Sequence, residues 1–157
     1  MAIRTVLCPT DFTPLSDRAV SLATRICQWY GARLVLEHNL DARPPSFLSV
    51  DWMWSEEQKA QDGTKERAAE ERLRADVERL AKQFPCEARL TRGPLELGLV
   101  AVARALPADL VVMGSHGKGA LARLLTGTTA REILHRAPCP VWFEPPAQAH
   151  ARWPQAV

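Results

Sequence analysis

Val111-Val112-Met113-Gly114-Ser115-His116-Gly117, followed after nine residues by Gly127-Thr128-Thr129, decides how the rest of the chain is read. An apolar run stops at a glycine turn, and a second glycine with two hydroxyl residues opens a further helical stretch. That is the pattern of a buried strand feeding a helix, the unit of an α/β sheet. Glycines let a backbone approach a ligand closely, and N–H groups at a helix start attract anions. Gly114, Gly117, Gly127, Thr128 and Thr129 therefore read as a phosphate cradle, with His116 inside it as a further donor. A purely structural reading stands beside this one: Gly114 and Gly117 as a tight turn, Thr128 as a helix cap.

Working outward, the chain repeats the same unit. Thr5 to Pro9 reads as a short buried strand, and Thr13-Pro14 starts a helix with a hydroxyl N-cap and proline at the first helical position. Ala19, Val20, Leu22, Ala23, Ile26, Cys27 and Tyr30 recur at helical spacing, with Gly31 as the stop. Leu34-Val35-Leu36 marks a second strand within 33–39. An irregular segment, 41–54, carries Trp52, Met53 and Trp54, which read either as a cover for a ligand or partner or as a loop anchor. Ser55-Glu56-Glu57-Gln58 is a capping box opening a long charged helix to about Phe84, with Ala60, Ala68, Leu73, Val77, Leu80, Ala81 and Phe84 as its narrow apolar stripe. Cys86 to Thr91 alternates as an edge strand would. Gly93-Pro94 turns into a helix carrying Leu95, Leu99, Val100, Ala103 and Leu106. Asp109 to Met113 is the most continuous strand, 118–137 is mostly helical with a break near Gly127, and Pro140 to Glu144 is the last strand. Residues 1–145 read as one domain, and the proline- and alanine-rich segment 146–157 as a mobile tail.

Five strands with helical connections imply an open parallel sheet with helices on both faces. The first and fourth strands, being the most apolar, form the central pair. Ligands of such sheets sit beyond the carboxyl ends of the strands where the order reverses, so Pro9-Thr10-Asp11 should face Gly114–Gly117. A carboxylate at Asp11 can accept from a ribose hydroxyl or a base amino group.

Composition removes several classes. Lys and Arg number 20 against 18 Asp and Glu, a formal charge of +2, too balanced to argue for nucleic acid. No run approaches the roughly 18–20 apolar residues of a membrane span. The amino-terminal residues lack the features of a signal peptide, so a cytoplasmic location is expected. Cys8, Cys27, Cys86 and Cys139 form no Cys-x-x-Cys pair and read as reduced thiols. No His/Cys/Asp cluster has metal-ligand spacing, so any Mg²⁺ would be held through ligand phosphates and water. His38 reads as packing or a turn hydrogen bond. A Walker A loop fails because Gly119 stands where Ser or Thr is needed. Gly117-Lys118-Gly119-Ala120-Leu121-Ala122 fits a dinucleotide fingerprint, but too little chain follows for the remainder of that unit.

Taken together, Val6-Leu7-Cys8-Pro9-Thr10-Asp11-Phe12, Leu36-Glu37-His38, Ala108 to Gly117, Gly127-Thr128 and Ala137-Pro138-Cys139-Pro140-Val141 resemble the ATP-binding branch of the universal stress protein (UspA) family. The resemblance implies an adenine nucleotide alpha hydrolase-like sheet in the order 3-2-1-4-5. It implies homodimerisation through the last strand, Val141, Trp142 and Phe143, and ATP at the carboxyl edge. Thr10 and Asp11 would approach adenosine, residue 39 would line the adenine pocket, and Met113 and Gly114 would flank base and ribose. Gly117, Gly127, Thr128 and Thr129 would hold phosphates and ribose. Asn39 stands where an apolar residue is usual, Thr128 where Ser is commoner, and Thr129 where an apolar residue is usual. No nucleophile, base and orienting acid stand together, and the Ser-Gly-Gly-x-Asp-Ser loop of ATP pyrophosphatases is missing, so slow hydrolysis at most is expected. The rival readings are a nucleotide-independent interaction protein and a slow ATP hydrolase.

Overall fold

Every residue of β1 (Thr5–Pro9) is buried, and so is every residue of β4 (Leu110–Gly114). This is what near-continuous apolar strands do when helices cover both faces of a sheet. The computed structural model describes residues 2–40, 56–114 and 128–145, and for 56–62 and 128–130 the backbone alone. Between β1 and β4 lie α1 (Pro14–Tyr30), β2 (Arg33–Asn39), α2 (Glu56–Leu80), β3 (Cys86–Thr91) and α3 (Leu95–Ala105); α4 (Thr128–Arg136) and β5 (Val141–Glu144) follow. The strands form one sheet in the order β3-β2-β1-β4-β5, and every pairing is parallel.

Alternation divides the core into two. Val6, Cys8, Leu34, Leu36, Leu110 and Val112 pack under α1 and α2 against Ala19, Leu22, Ala23, Ile26, Leu73 and Leu80. Leu7, Val35, Val111 and Met113 pack on the opposite face against Leu95, Leu99 and Ala103 of α3 and Ile133 of α4. The register follows the same rule: Leu7 is level with Val35 and Val111.

Local chemistry explains the element ends. Thr13 caps α1 in extended geometry, with Pro14 at the first turn, and Gly31 closes the helix in the left-handed region at φ 64°. The strand expected over Asp109–Met113 runs one residue later, because the Asp109 carboxylate instead accepts from the Arg4 and Thr5 N–H groups at 2.8 and 3.0 Å. Those two bonds hold it below the usual carboxylate range. Three positions of the expected stripes are corrected. Tyr30, the last residue of α1, is 59% exposed. The helix expected to run to about Phe84 ends at Leu80; on α2 the buried alanine is Ala69 rather than Ala68, which with Leu73 and Leu80 keeps one face of the helix, while beyond its end Ala81 is exposed and Phe84 buried. No described helix is long and apolar enough to cross a membrane.

Candidate functional site

At the end of β1 the chain makes a tight, heavily bonded turn. Thr10 Oγ1 accepts from Phe12 N at 3.1 Å and donates to Ser16 Oγ at 3.1 Å. Asp11 Oδ1 accepts from both the N–H and the hydroxyl of Thr13, at 3.1 and 2.6 Å. Phe12 sits at φ 59°, a conformation that costs a non-glycine residue about 1–3 kcal/mol. It is held there from three sides: by Thr10, by His38 stacked at 4.4 Å between centroids, and by the Arg72 guanidinium 4.9 Å over its ring. His38 Nδ1 donates to the Thr10 carbonyl at 2.8 Å, the turn role expected of it. The turn is thus fixed before any ligand arrives. One atom in it lacks a partner: the second carboxylate oxygen of Asp11, Oδ2, is buried without a hydrogen bond.

β1 pairs with β2 along its whole length, from Thr5–Arg33 to Pro9–Glu37, but with β4 only at Val6–Leu110 and Leu7–Val111. The two central strands part towards their carboxyl ends, at the point where the strand order reverses and a crevice is expected. Pro9, Thr10, Asp11, Asn39, Met113 and Gly114 all come to this edge. Thr128 and Thr129 open α4. His116, Gly117, Gly127 and the Trp52-Met53-Trp54 segment lie outside the described residues. Gly114 is accounted for by packing. A Cβ there would stand 2.9 Å from Leu15 Cγ and 3.4 Å from the Leu15 carbonyl, so the absent side chain lets α1 close on β4. Its φ is not in the left-handed region.

A second polar group lies at this edge; the sequence singles out its Asn39 but not its Glu37 or Thr91. Glu37 lies in the middle of the sheet with 0% exposure, and Asn39, two residues on, is 7% exposed. Thr91 of β3 links them: Asn39 Nδ2 donates to Thr91 Oγ1 at 3.0 Å, and Thr91 Oγ1 donates to Glu37 Oε1. Burial pushes the Glu37 carboxyl up to about 7, against a lowering from the Thr91 hydroxyl. Asn39 Oδ1 and Glu37 Oε2 remain buried without partners. A buried unpaired acceptor costs about 1–3 kcal/mol, so each is a place where an incoming donor gains. The signal was present in the sequence, since Glu37 interrupts the apolar run Leu34-Val35-Leu36 before the strand has ended.

Other parts of the described chain are less site-like. A cleft of about 620 Å³ between α1 and α2 is lined by Arg25, Arg72 and Arg79 together with Asp17 and Asp76, and its charges largely offset one another. It begins beside the β1 turn, where Arg72 also covers Phe12. All four cysteines are free thiols, and burial pushes Cys27 up to about 12 and Cys86 up to about 11, which suits packing and not nucleophilic chemistry. Among the described residues no group of three or more His, Cys, Asp or Glu is placed to hold a metal ion.

The comparisons with known proteins agree with this architecture. The family model described as "Universal stress protein family" matches residues 2–143. A universal stress protein of Thermus aquaticus is 30% identical over 138 residues, covering 88% of this chain and 96% of that protein. Universal stress protein UspA from Lactobacillus plantarum superposes with a TM-score of 0.73 at 20% identity, covering 91% of this chain and 98% of that one. A universal stress protein from Archaeoglobus fulgidus, solved in complex with dAMP, gives a TM-score of 0.59 at 18% identity over 91% of this chain and 98% of that one. The sheet order, the crevice between β1 and β4, and the match over nearly all of its length lead to one conclusion: the chain belongs to the universal stress protein family.

Proposed function

We propose that the carboxyl-edge crevice binds an adenine nucleotide, with ATP as the preferred ligand, and that the protein acts as a cytoplasmic, dimeric stress-response or signalling module. The observation that carries this reading is the unpartnered Asp11 Oδ2, buried on a turn whose other polar atoms are already satisfied. A ribose hydroxyl is the kind of donor such an oxygen takes. Asn39 Oδ1 is a second waiting acceptor, suited to a base amino group. The relative from Archaeoglobus fulgidus that holds dAMP supports a nucleotide of this base class. The polyphosphate would be held by N–H groups and hydroxyls of Gly117, Gly127, Thr128 and Thr129, with His116 as a further donor and Mg²⁺ carried by the phosphates. When bound, ATP supplies charge and a phosphoryl group, and the reading assigns the site to binding, with slow hydrolysis at most.

The dimer would form along β5. Trp142 is 50% exposed on this edge strand while Phe143 packs inward, and pairing with a second copy would cover both the ring and the open edge. Calorimetry on nucleotide-stripped protein tests the site. The expected affinity for ATP is micromolar, about −8 kcal/mol, with loss of at least about tenfold in Asp11→Ala and in Gly117→Val and Gly127→Val. Unchanged affinity in all three variants would overturn the assignment.

A further inference from the structure

Two of the buried acceptors at the carboxyl edge belong to one connected group, and that group has a geometry of its own. The face of the sheet under α3 carries Leu7, Val35 and Met113. Strand alternation puts Glu37 and Asn39 on this same face, two and four residues beyond Val35. The parallel register sets Pro9 beside Glu37 and Thr91 beside Asn39. The Asn39 amide and the Glu37 carboxyl both lie within hydrogen-bond distance of a single atom, Thr91 Oγ1. Gly98 of α3 closes over it so tightly that a Cβ would stand 2.9 Å from Thr91 Oγ1 and 3.4 Å from Asn39 Nδ2. Gly98 closes on Thr91 Oγ1 and Asn39 Nδ2 and not on Asn39 Oδ1 or Glu37 Oε2, and the orientation of each side chain is set by the one before it.

The direction of the bonds limits what remains. Asn39 spends an N–H on Thr91, and Thr91 spends its only O–H on Glu37, so Asn39 Oδ1 is left as a buried, unpartnered acceptor. Glu37 Oε2 is a donor when it carries a proton and an acceptor when it does not. We propose that Glu37, Thr91 and Asn39 form a proton-linked base reader, in which Asn39 Oδ1 accepts from an exocyclic amino group and protonated Glu37 Oε2 donates to the neighbouring ring nitrogen. An amino group beside an unprotonated ring nitrogen is the pattern of a 6-aminopurine. A 6-oxopurine presents the reverse pattern and is disfavoured while Glu37 is neutral. The inference rests on the nucleotide reading of the crevice and adds to it base selectivity and coupling to pH.

Among the described residues no cation sets the state of Glu37. Arg89 is level with it on β3, but its guanidinium turns to Glu87 at 3.1 Å and is exposed. The charged residues of α3 are Glu96 and Arg104, and Arg104 reaches the Arg136 carbonyl. β4 has none, and β1 offers Cys8 from the other face of the sheet. Desolvation therefore governs the group, and a base covering it deepens that desolvation and favours the proton further.

Calorimetric titration with ATP and with ITP, at about pH 6 and about pH 8.5 and in buffers of different ionisation enthalpy, tests the proposal. The wild-type protein is expected to lose more than about tenfold in ATP affinity across this range and to take up close to one proton per ATP at the alkaline end. Glu37→Gln replaces the titrating donor with a fixed N–H; whatever its absolute affinity, its profile should be flatter than the wild type's by that amount, with no corresponding proton uptake. At about pH 6 ATP should bind at least about tenfold tighter than ITP. The proton count is read on wild-type protein alone and does not depend on the variant folding. ATP binding with the same pH profile and proton count in wild type and Glu37→Gln would overturn the base reader and leave the nucleotide site standing. Equal affinity for ATP and ITP at about pH 6 would do the same. Absence of ATP binding in both proteins at every pH would overturn the nucleotide reading itself.

Discussion

At the end of β1, Thr10, Asp11, Thr13 and Ser16 bond to one another and to nearby backbone, so that the turn is rigid and a single oxygen, Asp11 Oδ2, is left over. At the ends of β2 and β3, Glu37, Thr91 and Asn39 form a chain with an unpartnered acceptor at each end. Both regions sit at the same sheet edge and are built from short polar side chains, yet one is locally complete and the other is not. The difference is sequence distance. The hydroxyl and carboxylate bonds among Thr10, Asp11, Thr13 and Ser16 span at most six residues, so they form with the helix cap, and His38 and Arg72 are added to the turn by packing. The relay spans 54 residues between Glu37 and Thr91 and exists only once β2, β3 and α3 are packed. A buried polar group assembled at that conformational cost, and still incomplete, is where a ligand has most to contribute.

The largest expected effect breaks the comparison at Glu37. Its carboxyl is raised from 4.5 to about 7 by burial, so between these values the native state holds a proton that the unfolded chain has released. Folding stability should fall as pH rises through that window, by up to about 3 kcal/mol at 1.36 kcal/mol per unit, and then level off. Denaturant melts of ligand-free protein from about pH 4 to about pH 8.5 measure this slope, and Glu37→Gln should abolish most of it. An identical slope in the variant would remove Glu37 as its source.

Two glycines sharpen the contrast at the next level. Gly98→Ala drives a Cβ to 2.9 Å from Thr91 Oγ1, and Gly114→Ala drives one to 2.9 Å from Leu15 Cγ. Each should cost about 1–3 kcal/mol in a chemical melt. Only Gly98→Ala should move the pH at which stability levels off, and it should move it upward, because the Thr91 hydroxyl is what lowers the Glu37 carboxyl. Thr13→Ala removes the N-cap of α1 and one arm of the turn, for about 1 kcal/mol with no change in the pH slope. Smallest of all, Arg74→Ala breaks an exposed pair with Glu78 on α2 and should change stability by less than about 0.5 kcal/mol.

The turn was legible in the sequence because its determinants are local. Thr13-Pro14 and Gly31 mark the limits of α1, and Thr5–Pro9, Arg33–Asn39 and Cys86–Thr91 appear as strands with the bounds expected. Asp11 and Asn39 stand out for the site, whereas Glu37 reads as part of a strand motif and Thr91 only as a strand end. Glu37 does interrupt the apolar run of β2, but nothing local decides whether α3 or water will meet its carboxyl. The role of Gly114 is ambiguous for a related reason: the contact that requires it comes from Leu15 of α1, distant in sequence. On α2 the apolar stripe was narrow enough for Ala68 and Ala69 to be interchangeable by pattern, and packing chose Ala69.

The central claim is that the incomplete polar atoms at the carboxyl edge are completed by an adenine nucleotide. A crystal structure of the protein grown with ATP tests it most directly. The account predicts a ribose hydroxyl about 2.5–3.0 Å from Asp11 Oδ2 and the purine amino group about 2.7–3.2 Å from Asn39 Oδ1. ATP bound elsewhere, or bound in the crevice with both oxygens still unpartnered, would contradict it.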